Sequence, residues 1–549
     1  GLAAVPTAVA YSILAEIDPQ VGLRGSWLVM LTMAIFGART GMVYCNSGAM
    51  GSVLVSLVTT AGLEYVFYAF IFAAIAQVVL GFLNVHRLLR LLPESVMLGF
   101  VDGLAIVLIL AQVKNFQVRS GGLAGSLPAG FDSSSAAGAA SRRRRLENSF
   151  SVFTDGSEWV GITELGYMLL DIVATVAAIL AVWRISSKAP ALLAGLAAGT
   201  AMEYAIVRAA CGGATRTLAD VANISGKLPT LVWLYSDINL PPFNIDTLAK
   251  IVPTGISLMA VGLIESLMTL RLVNEMTQSR SDARREAVWG GVANGIAAVL
   301  GGQGGNSEIG LTMINLKSGG RTRLPALTSG LLLLLVVLVA YRAVNLIPTS
   351  AIVGVMVAIS VQTFDWSSVP LVWASFVPRR WRGGCVSRRA RAISRADAAI
   401  IVVVTVVTPL TNLAVAVAAG VGLAVLAYSW KSGDRVSVLA GLRAGVPGKG
   451  EPPVVRVYEV SGPVFFASIE RFLEQFDHHN DPPLTEVHFN QADLCDYSAV
   501  QAINTLGERY GLTGKRLRLH RVRQASMRIM RDANDLLREE VRALDVVLE

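Results

Sequence analysis

Apolar residues in this chain fall in unbroken windows rather than in stripes. Tyr65–Val85, Val96–Val113, Tyr167–Val182, Leu327–Val339 extended to Ile347, and Ala398–Val407 running on to Tyr428 show no polar face recurring every turn. A soluble helix of that length keeps such a face for water. A stretch of about 20 apolar residues instead matches about 30 Å of hydrocarbon. Such windows recur from Leu2 to Trp430 and predict about fourteen helical segments before Ser432.

Two segments are too short to span. Val43–Leu57 contains Tyr44-Cys45-Asn46-Ser47-Gly48-Ala49, and Gly301–Asn315 reads Gly-Gly-Gln-Gly-Gly-Asn-Ser-Glu-Ile-Gly before a brief helical pattern. Backbone broken at membrane depth survives only inside protein or along a wet cavity. Each lies about third in its half of the membrane region, and matched broken helices point to the binding site of an inverted-repeat transporter. The alternative is a pair of re-entrant packing elements built from small residues.

The pattern changes after residue 430. The stretch 431–452 is polar and then rich in Gly and Pro, and predicts a linker between a membrane domain, 1–430, and a soluble domain, 453–549. In the latter, Val454–Val460, Glu486–Asn490 and Arg516–His520 read as strands, and Val464–Ala467 as a short apolar run. Ser468–Phe476, Ser498–Tyr510 and Gln524–Leu537 read as helices. Strands alternating with helices predict a small α/β domain.

Composition supports the membrane reading. Of 549 residues, 53% are hydrophobic and 16% charged, with mean hydropathy +0.55; soluble domains run at about 45–50% and about 25%. The net charge of +8 does not indicate nucleic-acid binding. The basic residues cluster between spans, at His86–Arg90, Arg280–Arg285, Lys317–Arg323 and Arg379–Arg395, which is the positive-inside pattern. Arg142–Arg145 falls on the other side, within a Gly/Ser/Ala-rich insertion, Ser120–Ser151. Four cysteines (Cys45, Cys211, Cys385, Cys495) lack paired spacing, and the five histidines show no metal-ligand spacing, so neither a disulfide framework nor a metal site is expected. The chain opens on Gly1 inside an apolar run without Met, which reads as a trimmed start and leaves targeting signals unread. No nucleophile–base pair stands out, and Gly301–Gly305 lacks the Gly-Lys-Ser/Thr of a phosphate loop, so an enzyme is not expected.

An anion leaving water needs replacement donors, and helix N-termini supply unpaired N–H groups and about half a positive charge. Two short helices aimed at one point would cradle an anion without buried Lys or Arg. The candidates are Asn46, Ser47 and Gly48 from the first broken helix, and Asn306, Ser307, Glu308 and Ile309 from the second. Pro6, Thr7 and Tyr11 of the first helix form another wall. Glu308 is anomalous, since its carboxylate would repel an anion. It is protonated, turned away, a coupling-cation ligand, or a helix-start carboxylate stabilised by the dipole. Glu265, between apolar neighbours and one turn before Thr269, is the sharpest candidate for coupling. A carboxyl group kept from water holds its proton more tightly, which suits proton coupling; sodium would need several oxygens, here Glu265, Thr269 and carbonyls of the second broken helix. A plain interhelical hydrogen bond is the competing role. Asp102, Asp171 and Glu203 read as structural.

Several stretches together resemble the sulfate permease family: Gly1–Tyr11, Asp18–Leu23, Leu91–Phe100, Gly262–Thr269 and Ile314–Arg323. Gly462–Ala467 and Asp496–Val500 resemble the STAS domain appended to these permeases. The resemblance implies fourteen segments as a seven-plus-seven inverted repeat, a core domain moving against a gate domain, and a homodimer. It also implies symport or exchange of sulfate, bicarbonate, chloride, oxalate or dicarboxylates with no cofactor beyond H+ or Na+, and an acidic coupling residue at Glu265. Many members carry a small residue where this chain has Glu308, and Asp102 stands where an Asn or Asp packs between helices. The expected location is the plasma membrane, or an organelle envelope, with a cytoplasmic STAS domain able to bind regulatory proteins. Ser498 matches a phosphorylated serine of related bacterial regulators, or is simply a helix N-cap. Arg516, Arg518, Arg521 and Arg523 suggest a basic face for membrane or partner. An uncoupled exchanger or channel and a membrane-anchored signalling scaffold are the competing readings.

Overall fold

The computed structural model describes residues 4–84, 93–117, 159–185, 190–221, 224, 226, 228–235, 240–376, 393–411, 413–445, 451–532 and 546–547. The basic loop His86–Arg90, the insertion Ser120–Ser151 with Arg142–Arg145, Cys385 and most of Arg379–Arg395 lie outside them. The chain forms two compact units, Gly1–Val421 and Gly422–Glu549.

Seven principal helices make the first half of the membrane unit: α1 (Ala4–Leu14), α2 (Pro19–Phe36), α3 (Gly48–Ala61), α4 (Glu64–Phe82), α5 (Glu94–Gln112), α6 (Ile162–Ile185) and α7 (Ala191–Met202), the last prolonged by a π-helical turn, Glu203–Arg208. Seven more follow: α8 (Ile245–Thr277), α9 (Ala283–Val299), α10 (Ile309–Lys317), α11 (Leu324–Val339), α12 (Thr349–Thr363, continued after a 48° bend by Ser368–Phe376), α13 (Arg395–Leu410) and α14 (Leu413–Gly433). Among the described residues six helices are long and apolar enough to cross a membrane, or seven counting the bent pair. The short third helix of each half matches the sequence reading, and the principal helices among the described residues agree with it in number, α14 running on past the end of the first unit at Val421.

Local chemistry sets these limits. Asp18 caps α2, its carboxylate accepting from Gln20 N–H at 2.8 Å with Pro19 at the first helical position. Asn244 caps α8, and Gln278, left-handed at φ 48°, ends it after 33 residues, about 50 Å. Ser394 and Asp397 form a reciprocal capping box on α13. Two windows read as continuous are broken. The one extended to Ile347 stops at Val339 and restarts as a short helix, Tyr341–Asn345. The one running to Tyr428 divides where Pro409 removes an N–H donor near the end of α13.

Packing sorts the helices into two sets. α9 and α8 lie along α4, α11 and α9 along α2, and α8 along α3; separately, α13 lies along α5, α6 along α7, and α12 along α5, α6 and α7. This is the division into core and gate. The broken segments carry two-residue strands, β1 (Tyr44–Cys45) and β2 (Asn306–Ser307), paired antiparallel as Tyr44↔Ser307 and Cys45↔Asn306.

The second unit is a five-stranded sheet in sequential order: β3 (Ser437–Ala444), β4 (Val454–Val464), β5 (Leu484–Leu494), β6 (Arg516–His520) and β7 (Val546–Val547). β3–β4 is antiparallel and the rest parallel. Helices α15 (Ile469–Leu473), α16 (Tyr497–Leu512) and α17 (Gln524–Asp532) complete it. The core beneath the sheet joins Tyr458, Val460, Val487, Phe489, Leu519 and Ile503. The stretch read as a linker therefore contains β3, an Ala/Gly-containing edge strand whose residues are mostly exposed. Val464 belongs to β4 rather than to a separate apolar run. Of the helix read over Gln524–Leu537, the part beyond Asp532 lies outside the described residues.

Candidate functional site

The β1–β2 pair joins the two broken helices at their N-terminal ends. Ser47 caps α3, accepting from Met50 N–H at 3.3 Å, while Glu308 stands at the cap position of α10 without a side-chain cap bond. The pairing needs a bare backbone: a Cβ on Gly305 would lie 2.3 Å from the Cys45 carbonyl oxygen. By helix geometry the first N–H groups of α3 and α10 lack acceptors within their own helices. Gly48 in the first turn of α3 sits against α1, where a Cβ would come within 2.9 Å of Tyr11 Cε1.

Glu265 of α8 ties the two arms together. Its Oε2 accepts from Ser47 Oγ at 2.6 Å and from Asn306 Nδ2. Thr269 Oγ1, one turn later, donates to Glu265 O at 2.9 Å and faces the Ser307 carbonyl at 3.2 Å. Ser266, in the same turn, receives the Ser307 N–H at 3.4 Å. Tyr11 OH points at Glu308 Oε1 at 3.5 Å. Pro6 and Thr7 are buried in α1, and Ile309 opens α10, partly exposed. Three buried atoms here have no hydrogen-bond partner: Asn306 Oδ1, Glu308 Oε2 and Gln303 Nε2.

Asn46 is held by partners on α1 and α2. Its backbone N–H donates to Ser26 Oγ at 3.1 Å, its amide donates to Ala8 O at 2.9 Å and to Ser12 and Gln303, and its Oδ1 accepts from Ser26. These bonds tie α1 and α2 to the broken segment through Asn46. The Ser307 N–H is likewise turned to α8.

Residues that sequence reasoning passed over hold the junction from behind. Glu286 of α9, fully buried, accepts from Tyr44 OH at 2.9 Å and from Ala38 N–H at 3.2 Å. Ser26 and Ser266 were equally invisible, because small polar residues on helices give no spacing signal, and Gln303 gave none from inside its Gly-rich loop. Asp102 accepts from Asp365 N–H at 2.9 Å, and Asp171 and Glu203 share Thr215, with Glu203 paired to Arg208 at 2.7 Å. All three thus have structural partners. A cavity of about 500 Å³ lined by Leu193, Leu196, Ala197, Thr200 and Ile347 lies elsewhere and carries no charged lining group.

In the sheet unit, Asp496 and not Ser498 caps α16, accepting from Ala499 N–H at 2.9 Å. Ser498 is the second helical residue, partly exposed. The expected basic face is partly neutralised, Arg518 pairing with Glu451 at 3.3 Å and Arg523 with Asp493 at 3.0 Å.

Comparison with known proteins shows the family and the fold. The model of the sulfate permease family matches residues 1–377. YbaR of Bacillus subtilis (strain 168), a protein bearing the name of a sulfate transporter, is 30% identical over 96% of this chain and 94% of its own. The bicarbonate transporter BicA of Synechocystis sp. is 26% identical over 73% of this chain and 63% of its own. Among solved structures, murine Solute Carrier 26 family member A9, an anion transporter in its inward-facing state, superposes with a TM-score of 0.70 at 17% identity, covering 97% of this chain and 85% of that one. The transmembrane domain of a cyanobacterial BicA gives 0.54 at 24% identity, covering 74% and 94%.

Proposed function

This chain belongs to the sulfate permease family of multi-pass membrane anion transporters, and on that premise we propose that it carries a small inorganic oxyanion, sulfate or bicarbonate, by an elevator-like alternating-access movement coupled to protons through Glu265. The observation that supports this reading is the junction itself. Two short helices present their N-termini side by side, and one carboxylate accepts from donors on both arms.

The N–H groups of Gly48, Ala49, Ile309 and Gly310 replace part of the anion's hydration, each helix end adding about half a positive charge. Ser47 and Asn306 donate to Glu265 while it is ionised. When Glu265 takes a proton, its demand for those donors falls and they turn to the anion, so proton and anion load together. Sodium is the second reading, favoured by the Glu265 carboxylate, Thr269 hydroxyl, Ser307 carbonyl and free Asn306 Oδ1 standing together. The working form is a homodimer in the plasma membrane with the STAS-like unit in the cytoplasm.

The test is uptake of labelled sulfate and bicarbonate into proteoliposomes, with proton and sodium gradients imposed separately. Uptake driven by an inward proton gradient, and lost on Glu265→Gln, is expected. Uptake indifferent to both gradients makes the protein an uncoupled exchanger, and uptake of neither anion ends the transport reading for them.

A further inference from the structure

Parallel pairing of β5 with β6 brings together three side chains that lie far apart in sequence. Glu486 and His488, two residues apart on β5, share one face, opposite to the core residues Val487 and Phe489. His520 on β6 is the register partner of His488, and the two imidazole centroids stand 4.8 Å apart. His488 Nε2 is 3.4 Å from Glu486 Oε2, and His520 Nε2 is 3.6 Å from Glu486 Oε1. One ligand atom from each residue fits within a 4.8 Å span. His520 Nε2 is buried and has no hydrogen-bond partner. A buried ring nitrogen left so is costly, and calls for an explanation by water or an ion.

We infer that Glu486, His488 and His520 form a binding site for a divalent transition-metal ion of the zinc class. Nitrogen and oxygen ligands at about 2.0–2.1 Å from a tetrahedral centre stand about 3.3 Å apart, close to both histidine–glutamate separations. Two imidazoles and a carboxylate favour zinc, cobalt, nickel or copper over magnesium or calcium. Arg443 grips the Glu486 carboxylate through Nε, at 3.1 Å, and Nη2. Each carboxylate oxygen keeps a second lone pair, so Arg443 fixes the ligand's direction, as hydrogen-bonded partners of metal-ligating carboxylates do. Glu451 pairs with Arg443 at 2.9 Å and with Arg518 at 3.3 Å, offsetting the two cations that face the ion. The bound ion would clamp β5 to β6 through side chains. This site is independent of the anion junction.

The full-length protein, purified in detergent and stripped with chelator, is titrated with Co²⁺ while visible absorption is recorded. One saturable tetrahedral-type band, displaced by Zn²⁺, is expected. The His488→Gln, His520→Gln double variant should bind at least about tenfold more weakly. No band, or a band unchanged in the double variant, overturns the assignment. A band abolished by Cys211→Ser with Cys495→Ser assigns the metal to those exposed thiols and also overturns it. In the unsubstituted protein Zn²⁺ should protect both histidines from diethyl pyrocarbonate, read by mass spectrometry; absence of protection rejects the site whatever the variants' folding.

Discussion

Glu308 is the residue at which this chain departs from the rest of its own design. It stands at the cap position of α10, makes no cap bond, and leaves one carboxylate oxygen buried and unpartnered beside Tyr11. A carboxylate there offsets part of the positive end of α10. Glu308→Gln keeps an acceptor for Tyr11 and removes the charge. The half-saturation concentration for sulfate should fall severalfold, as about 1.4 kcal/mol of relieved repulsion corresponds to tenfold in affinity. An unchanged half-saturation constant would leave Glu308 as a helix-start carboxylate only. Glu265 differs because both donors on it, Ser47 and Asn306, come from the two arms of the cradle. Its burial was legible in the sequence from its place between apolar neighbours; its partners were not, since Ser47 lies 218 positions away.

Among elements, the sheet unit offers a cleaner test of electrostatics. Tyr458 and Tyr510 both donate to buried Asp481, at 2.8 and 2.5 Å. Burial first, and then the Asp481 carboxylate, push both phenols above their ordinary range. A raised folded-state pKa contributes stability that is fully present below the unfolded value, about 10, and is lost as pH rises past it, because the unfolded chain gives up protons the fold retains. The thermal midpoint of the unit should therefore fall above about pH 10. Tyr510→Phe should flatten that fall and cost about 1–3 kcal/mol near neutral pH by stripping Asp481 of a donor; an unflattened alkaline limb would remove Tyr510 from the account. Elements were legible where period and turn chemistry agreed. β6 was read to the residue because Arg516–His520 alternates cleanly, and α3 and α10 because Gly, Ser and Asn precede short apolar runs. β3 was missed because an edge strand with exposed residues, Ser437–Ala444, has no alternation to read. The pairing of β1 with β2 and the hold of Glu286 on Tyr44 were beyond reach, since both depend on contacts across more than 200 positions.

For the whole molecule, the division at Val421 and Gly422 has a practical consequence. Every residue of the anion junction lies in the first unit. A chain ending at Asp434, just past α14, removes the entire sheet and should still load the anion in proteoliposomes. A chain ending at Gly450 keeps β3 without its partner β4, exposing a row of unpaired backbone groups that invites edge-to-edge aggregation. Size-exclusion profiles should separate the two truncations. Loss of uptake in well-folded protein ending at Asp434 would give the sheet unit a direct part in transport; the signalling-scaffold alternative instead requires uptake to persist while the protein's cellular function is lost.

The two-residue ladder between β1 and β2 carries a thermodynamic corollary. Helices laced to each other by backbone cannot splay independently, so under the alternating-access cycle proposed above the anion would meet the same arrangement of donors from either compartment. On that reading intrinsic affinity is alike on the two faces, and accumulation has to come from imposed gradients (coupling ion or membrane potential) and not from the site. Oriented vesicles loaded and assayed from each side should return matching half-saturation constants when proton and sodium concentrations are equal across the bilayer.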